Sequence, residues 1–85
     1  MNYLAIDIGG TKLAVGVGDE KGNLLSKVFK PTEVKKGVDY VINNIIEMVD
    51  TSINQANVDI SDFVKQGKNL IEILVYNTLA ITCPI

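Results

Sequence analysis

A short run near the start of the chain combines residue types that bind a polyphosphate. Asp7 is followed by Gly9, Gly10, Thr11 and Lys12. Adjacent glycines let backbone N–H groups approach phosphate oxygens and tolerate a positive φ. The Asp7 carboxylate suits hydrated Mg²⁺, which prefers one or two carboxylates together with phosphate and water. Thr11 offers a hydroxyl and Lys12 a compact positive charge, so the run predicts a site for nucleotide phosphates and their metal.

The same run is also typical of a plain β-hairpin turn. Gly-Gly pairs favour the primed turns that join two antiparallel strands. Neither the dinucleotide pattern Gly-x-Gly-x-x-Gly nor the Walker pattern Gly-x-x-x-x-Gly-Lys-Ser/Thr occurs in the chain. On spacing alone, the phosphate site and the structural turn remain alternatives.

Three predicted strands position this run. Residues 2–8 and 12–18 flank the glycines, and large and small side chains alternate along the second of these strands. A turn at residues 19–23 leads to a third strand at residues 24–30, which Pro31 stops. The expected unit is an antiparallel meander.

An amphipathic helix follows the meander. It is expected to begin near Thr32 or Gly37 and to end near Asn54, with its apolar residues packed on the sheet as core. The apolar residues that recur at steps of three and four are Val38, Val41, Ile42, Ile45, Ile46, Val49 and Ile53.

Residues 1–53 resemble the amino terminus of sugar kinases of the ROK family (repressor, open reading frame, kinase), within the actin-like ATPase superfamily. The resemblance is carried by residues 5–12, 14–17 and 19–23 and by the helix. It implies a partial actin-like, ribonuclease H-like lobe whose first phosphate motif lies on the hairpin between the first two strands. It also implies roles for individual residues: Asp7 faces the metal, and Gly9, Gly10, Thr11 and Lys12 line the ATP phosphates.

The tail of the chain resembles two different families. Residues 79–84 resemble the strand by which ROK proteins approach a Cys-Pro-Gly-like loop, although residues 64–78 then look inserted and Ile85 stands where glycine is usual. Residues 59–80 resemble a strand pair of the sugar-binding β-sandwich of glycoside hydrolase family 2, with a long strand at residues 70–76. We favour a mosaic with its seam between Asn54 and Val58. The expected domains are a partial kinase lobe at residues 1–56 and a β-rich tail at residues 57–85.

Composition limits the class of protein. The 85 residues are 47% hydrophobic with a net charge of −2, which suits a small globular domain rather than a disordered chain. The charges form no basic patch, so no nucleic-acid partner is expected. Neither a signal peptide nor a membrane segment is apparent, and we expect a cytoplasmic protein. Histidine is missing, so acid–base catalysis would need another residue type.

These observations predict an α/β chain: an antiparallel meander, one packed helix and one or two further strands. The predicted function is that of a fragment or mosaic of an ATP-dependent ROK sugar kinase. Such a chain keeps the phosphate hairpin but lacks the catalytic base, so we assign no catalytic residue. Binding of ATP and Mg²⁺ by the isolated chain is expected to be weak or absent. A hexose is the substrate implied for the full-length family.

The alternative function is a non-enzymatic structural module, or one derived from a carbohydrate-binding domain. A homo-oligomer is a further hypothesis, because the apolar residues Ile71, Ile73 and Val75 suggest a strand edge that could pair with a second copy. Sedimentation velocity checks it: pairing predicts a dimer whose fraction rises with concentration. A monomer at every concentration would exclude it.

Overall fold

The computed structural model describes residues 1–58, 72–75 and 79–85. The strands are β1 (Asn2–Ile8), β2 (Lys12–Asp19), β3 (Leu24–Pro31), β4 (Glu72–Val75) and β5 (Leu79–Pro84), and the helix is α1 (Val38–Ala56). A single turn of 3₁₀-helix, Val34–Lys36, lies between β3 and α1. The predicted α/β class and its helix are confirmed. No helix in the described residues is long and apolar enough to cross a membrane.

The strands form one sheet in the order β3-β2-β1-β5-β4, and every neighbouring pair is antiparallel. The meander β1–β2–β3 is the predicted one, and β4 and β5 are the predicted extra strands. β5 pairs with β1 on the side opposite β2, so the two ends of the chain meet in the middle of the sheet. β4 is an outer strand of the described sheet, and pairing through it with a second copy stays a prediction.

The tail resemblances are tested only in part by the structure. β4 lies inside the strand predicted at residues 70–76, whose other members fall outside the described residues. Most of the stretch that resembles the glycoside hydrolase sandwich, residues 59–71 and 76–78, also falls outside them. The division into a lobe at residues 1–56 and a tail at residues 57–85 therefore stays a prediction.

The core lies between one face of the sheet and α1. Successive strand side chains point to opposite faces, and β2 buries Leu13, Val15 and Val17 completely or almost completely on the helix side. Leu4 of β1 and Met48 of α1 complete the buried cluster. The alternation read from the second strand thus decides which face of the hairpin is covered.

The prediction that the whole apolar stripe of α1 is core was wrong. Val38, Ile42 and Ile46 are 73%, 48% and 60% exposed. The fully buried helix residues are instead Met48 and Ser52. The stripe is wider than the arc of a helix that a flat sheet can cover, so its residues on one side remain outside the contact.

A buried hydroxyl pair joins α1 to β3. The Ser26 hydroxyl donates to the Ser52 carbonyl oxygen at 2.7 Å, and the two side-chain oxygens are 2.6 Å apart. Both residues are buried, and each hydroxyl has a partner, as buried polar groups require. The pair fixes the position of α1 on the third strand.

The turn predicted at residues 19–23 is confirmed, and its structure shows why it forms. Asp19 Oδ1 accepts the backbone N–H groups of Lys21 and Asn23, both at 2.9 Å, and Oδ2 accepts the Asn23 side-chain amide. These bonds, the Asn23 amide first, hold the pKa of Asp19 below its ordinary value. Gly22 has a φ of 87°, which glycine adopts without strain.

Two leucine-to-alanine variants test the position of the core. Leu13→Ala is expected to lower the free energy of unfolding by about 2–5 kcal/mol, because it empties a fully buried site. Leu24→Ala, at a residue that is 63% exposed, is expected to change it by less than about 0.5 kcal/mol. Urea unfolding followed by circular dichroism measures both values. Equal losses in the two variants would contradict this core.

Candidate phosphate-binding site

The turn between β1 and β2 is exposed at its tip. The Gly9 N–H donates to the Lys12 carbonyl oxygen at 3.0 Å and closes the base of the turn. Gly10 and Thr11 lie beyond this bond and are both exposed. Within the described residues, no acceptor is bonded to the N–H of Gly10 or Thr11. The tip therefore presents two adjacent backbone donors to solvent.

Gly10 does not have the conformation that a primed turn requires. Such turns need a positive φ at their first central residue, whereas the positive-φ glycines are Gly22 and Gly37. A Cβ built on Gly10 meets nothing within 4 Å. Neither the backbone conformation nor internal packing therefore demands glycine at this position. Its missing side chain leaves open space beside the two free N–H groups.

Asp7 and Lys12 line one groove on the sheet face opposite α1. Asp7 pairs with Ala14 across the β1–β2 ladder, and Lys12 lies two residues from Ala14 on the same face. The groove has a volume of about 450 Å³, and Lys27, Phe29 and Thr82 also line it. The structure therefore brings the predicted carboxylate and ammonium to the same side of the hairpin.

Two lysine side chains lie over the aromatic ring of Phe29. Lys12 Nζ lies 4.8 Å and Lys27 Nζ 4.6 Å from the ring centroid, within the range of cation–π attraction. The contact holds Lys12 beside the groove while leaving its ammonium exposed. Sequence reasoning did not single out Lys27, although the period of two along β3 puts it on the same face as Phe29.

The two charged side chains of the hairpin, Asp7 and Lys12, take no part in the ion pairs of the described residues. In residues 1–58 and the described parts of β4 and β5, the ion pairs are Met1–Glu20, Lys30–Glu47 and Lys36–Glu33. Asp7 and Lys12 take part in none of them. The same residues contain no group of three or more metal-ligating side chains. A metal at Asp7 would thus take one protein carboxylate and complete its shell from phosphate and water, which suits Mg²⁺.

Thr32, just after β3, fixes the turn from below. Its hydroxyl donates to the Gly9 carbonyl oxygen at 2.7 Å, and its backbone N–H donates to the Thr11 carbonyl oxygen at 3.0 Å. The residue is only 2% exposed. Sequence reasoning considered Thr32 only as a start for the helix, because nothing in a local pattern shows a contact across 23 residues.

The residue after Thr32 is strained and held in place. Glu33 has a φ of 54°, a left-handed conformation that costs a non-glycine residue about 1–2 kcal/mol. Its carboxylate accepts a 2.6 Å hydrogen bond from the Tyr40 hydroxyl and lies 3.4 Å from Lys36 Nζ. Tyr40 first, and then Lys36, hold the pKa of Glu33 below its ordinary value. The bend from β3 to α1 is therefore tied to the first turn of the helix.

The comparisons with known proteins match most of the chain to a family model and about half of it to curated relatives. The family model described as "ROK family" matches residues 3–71, past the predicted seam near residue 56. A glucokinase from Streptomyces coelicolor is 48% identical over 44 residues, which cover 49% of this chain and 14% of the relative. A glucokinase from Thermotoga maritima is 37% identical over 49 residues, 58% of this chain and 16% of the relative.

The matched segment spans about one-seventh of the length of these curated relatives. A glucokinase from Streptomyces lividans matches to the same extent as the S. coelicolor protein. No solved structure matches the chain.

Proposed function

This chain belongs to the ROK family, and we propose that it forms the ATP phosphate-binding part of a sugar kinase of that family. The curated relatives that it resembles are named glucokinases. Phosphoryl transfer by any kinase needs positioned phosphates, a metal and a group that orients or deprotonates the attacking hydroxyl. The first two requirements have candidate residues in the β1–β2 hairpin.

The observation that carries the proposal is the exposed tip of the hairpin. Gly10 and Thr11 leave two backbone N–H groups without acceptors in the described structure, beside open space where Gly10 lacks a side chain. Backbone N–H groups grouped in this way bind phosphate oxygens. A structural turn alone would have no use for glycine at this position. The phosphate function is therefore favoured over the plain hairpin.

Each residue of the site has a role in this proposal. The N–H groups of Gly10 and Thr11 and the Thr11 hydroxyl face the phosphates, and Gly9 lines the site while its own N–H closes the base of the turn on the Lys12 carbonyl. Lys12 neutralises phosphate charge with its exposed ammonium. Asp7 contacts the metal, and Mg²⁺, when bound, would balance the charge on the phosphate oxygens.

The acids of residues 1–58 offer no candidate for the catalytic base. Asp19 is bonded within its own turn, Glu33 to Tyr40 and Lys36, and Glu47 to Lys30. The other acids apart from Asp7 are exposed and do not line the groove of Asp7 and Lys12; they are Glu20, Asp39 and Asp50. Asp7 is committed to the metal, and one carboxylate does not serve both roles at once. We therefore propose that sugar phosphorylation needs residues of the ROK kinase body beyond those described.

Nuclear magnetic resonance of the labelled chain tests nucleotide binding. Millimolar Mg·ATP is expected to shift the amide signals of Gly9, Gly10 and Thr11, while adenosine, which has no phosphates, is expected to leave them unchanged. Asp7→Ala is expected to abolish the response because it removes the metal contact. Asp50→Ala, which removes an exposed carboxylate on α1, is the matched control and should respond as the unmodified chain does. Unshifted turn amides at millimolar Mg·ATP would favour the purely structural turn.

A coupled phosphorylation assay tests the missing base. The 85-residue chain is expected to transfer no phosphate from Mg·ATP to glucose above the rate without protein, because none of the acids of residues 1–58 is a candidate for the base that deprotonates the sugar hydroxyl. The Thermotoga maritima glucokinase serves as the positive control for the assay. A clear rate from the purified chain, lost in Asp7→Ala, would show that the chain is itself a complete kinase.

A further inference from the structure

We infer that Thr32 is the positioning residue of the phosphate turn: its hydroxyl holds the Gly9 carbonyl so that the Gly10 and Thr11 N–H groups stay available to a ligand. The expected effect on nucleotide binding rests on the proposed function. The positioning of the turn rests only on two hydrogen bonds made by Thr32. Thr32 would not touch the nucleotide. It would act through the backbone of the turn.

The two hydrogen bonds of Thr32 reach both sides of the tip. The hydroxyl donates to the Gly9 carbonyl at 2.7 Å, before the tip, and the backbone N–H donates to the Thr11 carbonyl at 3.0 Å, inside it. Gly10 lies between the two fixed carbonyls. Because a peptide unit is planar, holding a carbonyl also fixes the direction of the N–H that follows it. Thr32 therefore orients the Gly10 N–H directly, and it limits the Thr11 N–H because the Gly10–Thr11 peptide unit lies between two peptide units that Thr32 holds.

The Gly9 carbonyl has an obvious competing donor. In a closed two-residue hairpin, the Lys12 N–H would donate back to the Gly9 carbonyl. In the part of the chain that the structure describes, the Thr32 hydroxyl takes that place instead. Without the hydroxyl, the turn is free to close through Lys12. Closing would turn the Gly9 carbonyl toward Lys12, and the Gly10 N–H would change direction with it because the two groups share one planar peptide unit.

The position of Thr32 is itself determined by the helix. Glu33, the next residue, is held in its left-handed conformation by the Tyr40 hydroxyl and by Lys36. Strain that the surrounding contacts maintain points to a functional constraint. The constraint here is geometric, since the left-handed bend at Glu33 turns the chain immediately after Thr32. The contacts that hold the turn thus extend from Tyr40 in α1 through Glu33 to Thr32.

Four variants separate positioning from general stability. Thr32→Val removes the hydroxyl with little change in volume, and Thr32→Ala removes it without placing a methyl against the Gly9 oxygen. Thr32→Ser keeps the hydroxyl and should rescue. Ser26→Ala is the matched control, because it removes a buried hydroxyl from β3, the strand that precedes Thr32, in a contact with Ser52 rather than with the turn.

The first measurement needs no nucleotide. In Thr32→Val and Thr32→Ala, the Gly9 carbonyl carbon signal is expected to move upfield, as a lost hydrogen bond requires, and the Gly10 and Thr11 amides are expected to move with it. Thr32→Ser should keep the signals of the unmodified chain. Should the Val variant fail to fold, the Ala variant carries the comparison. Turn signals that move no further in Thr32→Ala than in Ser26→Ala would overturn the inference.

The second measurement is the affinity for Mg·ATP. Loss of the hydroxyl is expected to weaken binding about fivefold or more, because the donors are no longer preorganised. Thr32→Ser and Ser26→Ala are expected to bind within about twofold of the unmodified chain. Equal weakening in Ser26→Ala would show a mere stability effect and count against Thr32. If the unmodified chain gives no response, the proposed function fails, while the carbonyl signal still decides whether Thr32 positions the turn.

Discussion

The antiparallel register of β1 and β2 is the constraint on which the core and the site both depend. Pairing of Asp7 with Ala14 and of Ile8 with Leu13 puts the two faces of the hairpin to different uses. One face carries the residues buried under α1, and the other carries Asp7 and Lys12. Because side chains alternate with a period of two, a slip of one residue would exchange the faces. Burial of Leu13, Val15 and Val17 therefore also keeps the charged pair on the open side.

Much of this arrangement was predictable because it is local. Alternation in β2, the Asp19 turn and the helical period are properties of neighbouring residues, and all three predicted their elements. The burial of α1 was not predictable in the same way. The period shows that Ile42 and Ile46 share an apolar stripe, but the width of the sheet beneath decides how much of that stripe is covered. Met48 and Ser52 lie at the centre of the contact, although neither stood out in the sequence.

The same difference between local and long-range features applies to the candidate site. The types and order of Asp7, Gly9, Gly10, Thr11 and Lys12 were enough to suggest phosphate chemistry. Gly10 does not use the positive φ that glycine tolerates, and its missing Cβ leaves open space beside the turn. Thr32 could not be found from its neighbours. Its contact with Gly9 exists only because β3 returns beside β2 and brings residue 32 under the turn.

The hairpin and the bend at Glu33 show two ways in which this small chain holds an exposed tip. The base of the hairpin is rigid because it is part of a ladder anchored in the core. The tip has no core beneath it, so its shape depends on hydrogen bonds supplied by Thr32. Those bonds require a bend that is unfavourable for Glu33 by itself and that Tyr40 and Lys36 stabilise. The strain at Glu33 thus lies next to Thr32, the residue that holds the turn, and outside the Gly10 and Thr11 backbone that a phosphate would contact, so it can shape the turn without crowding the ligand.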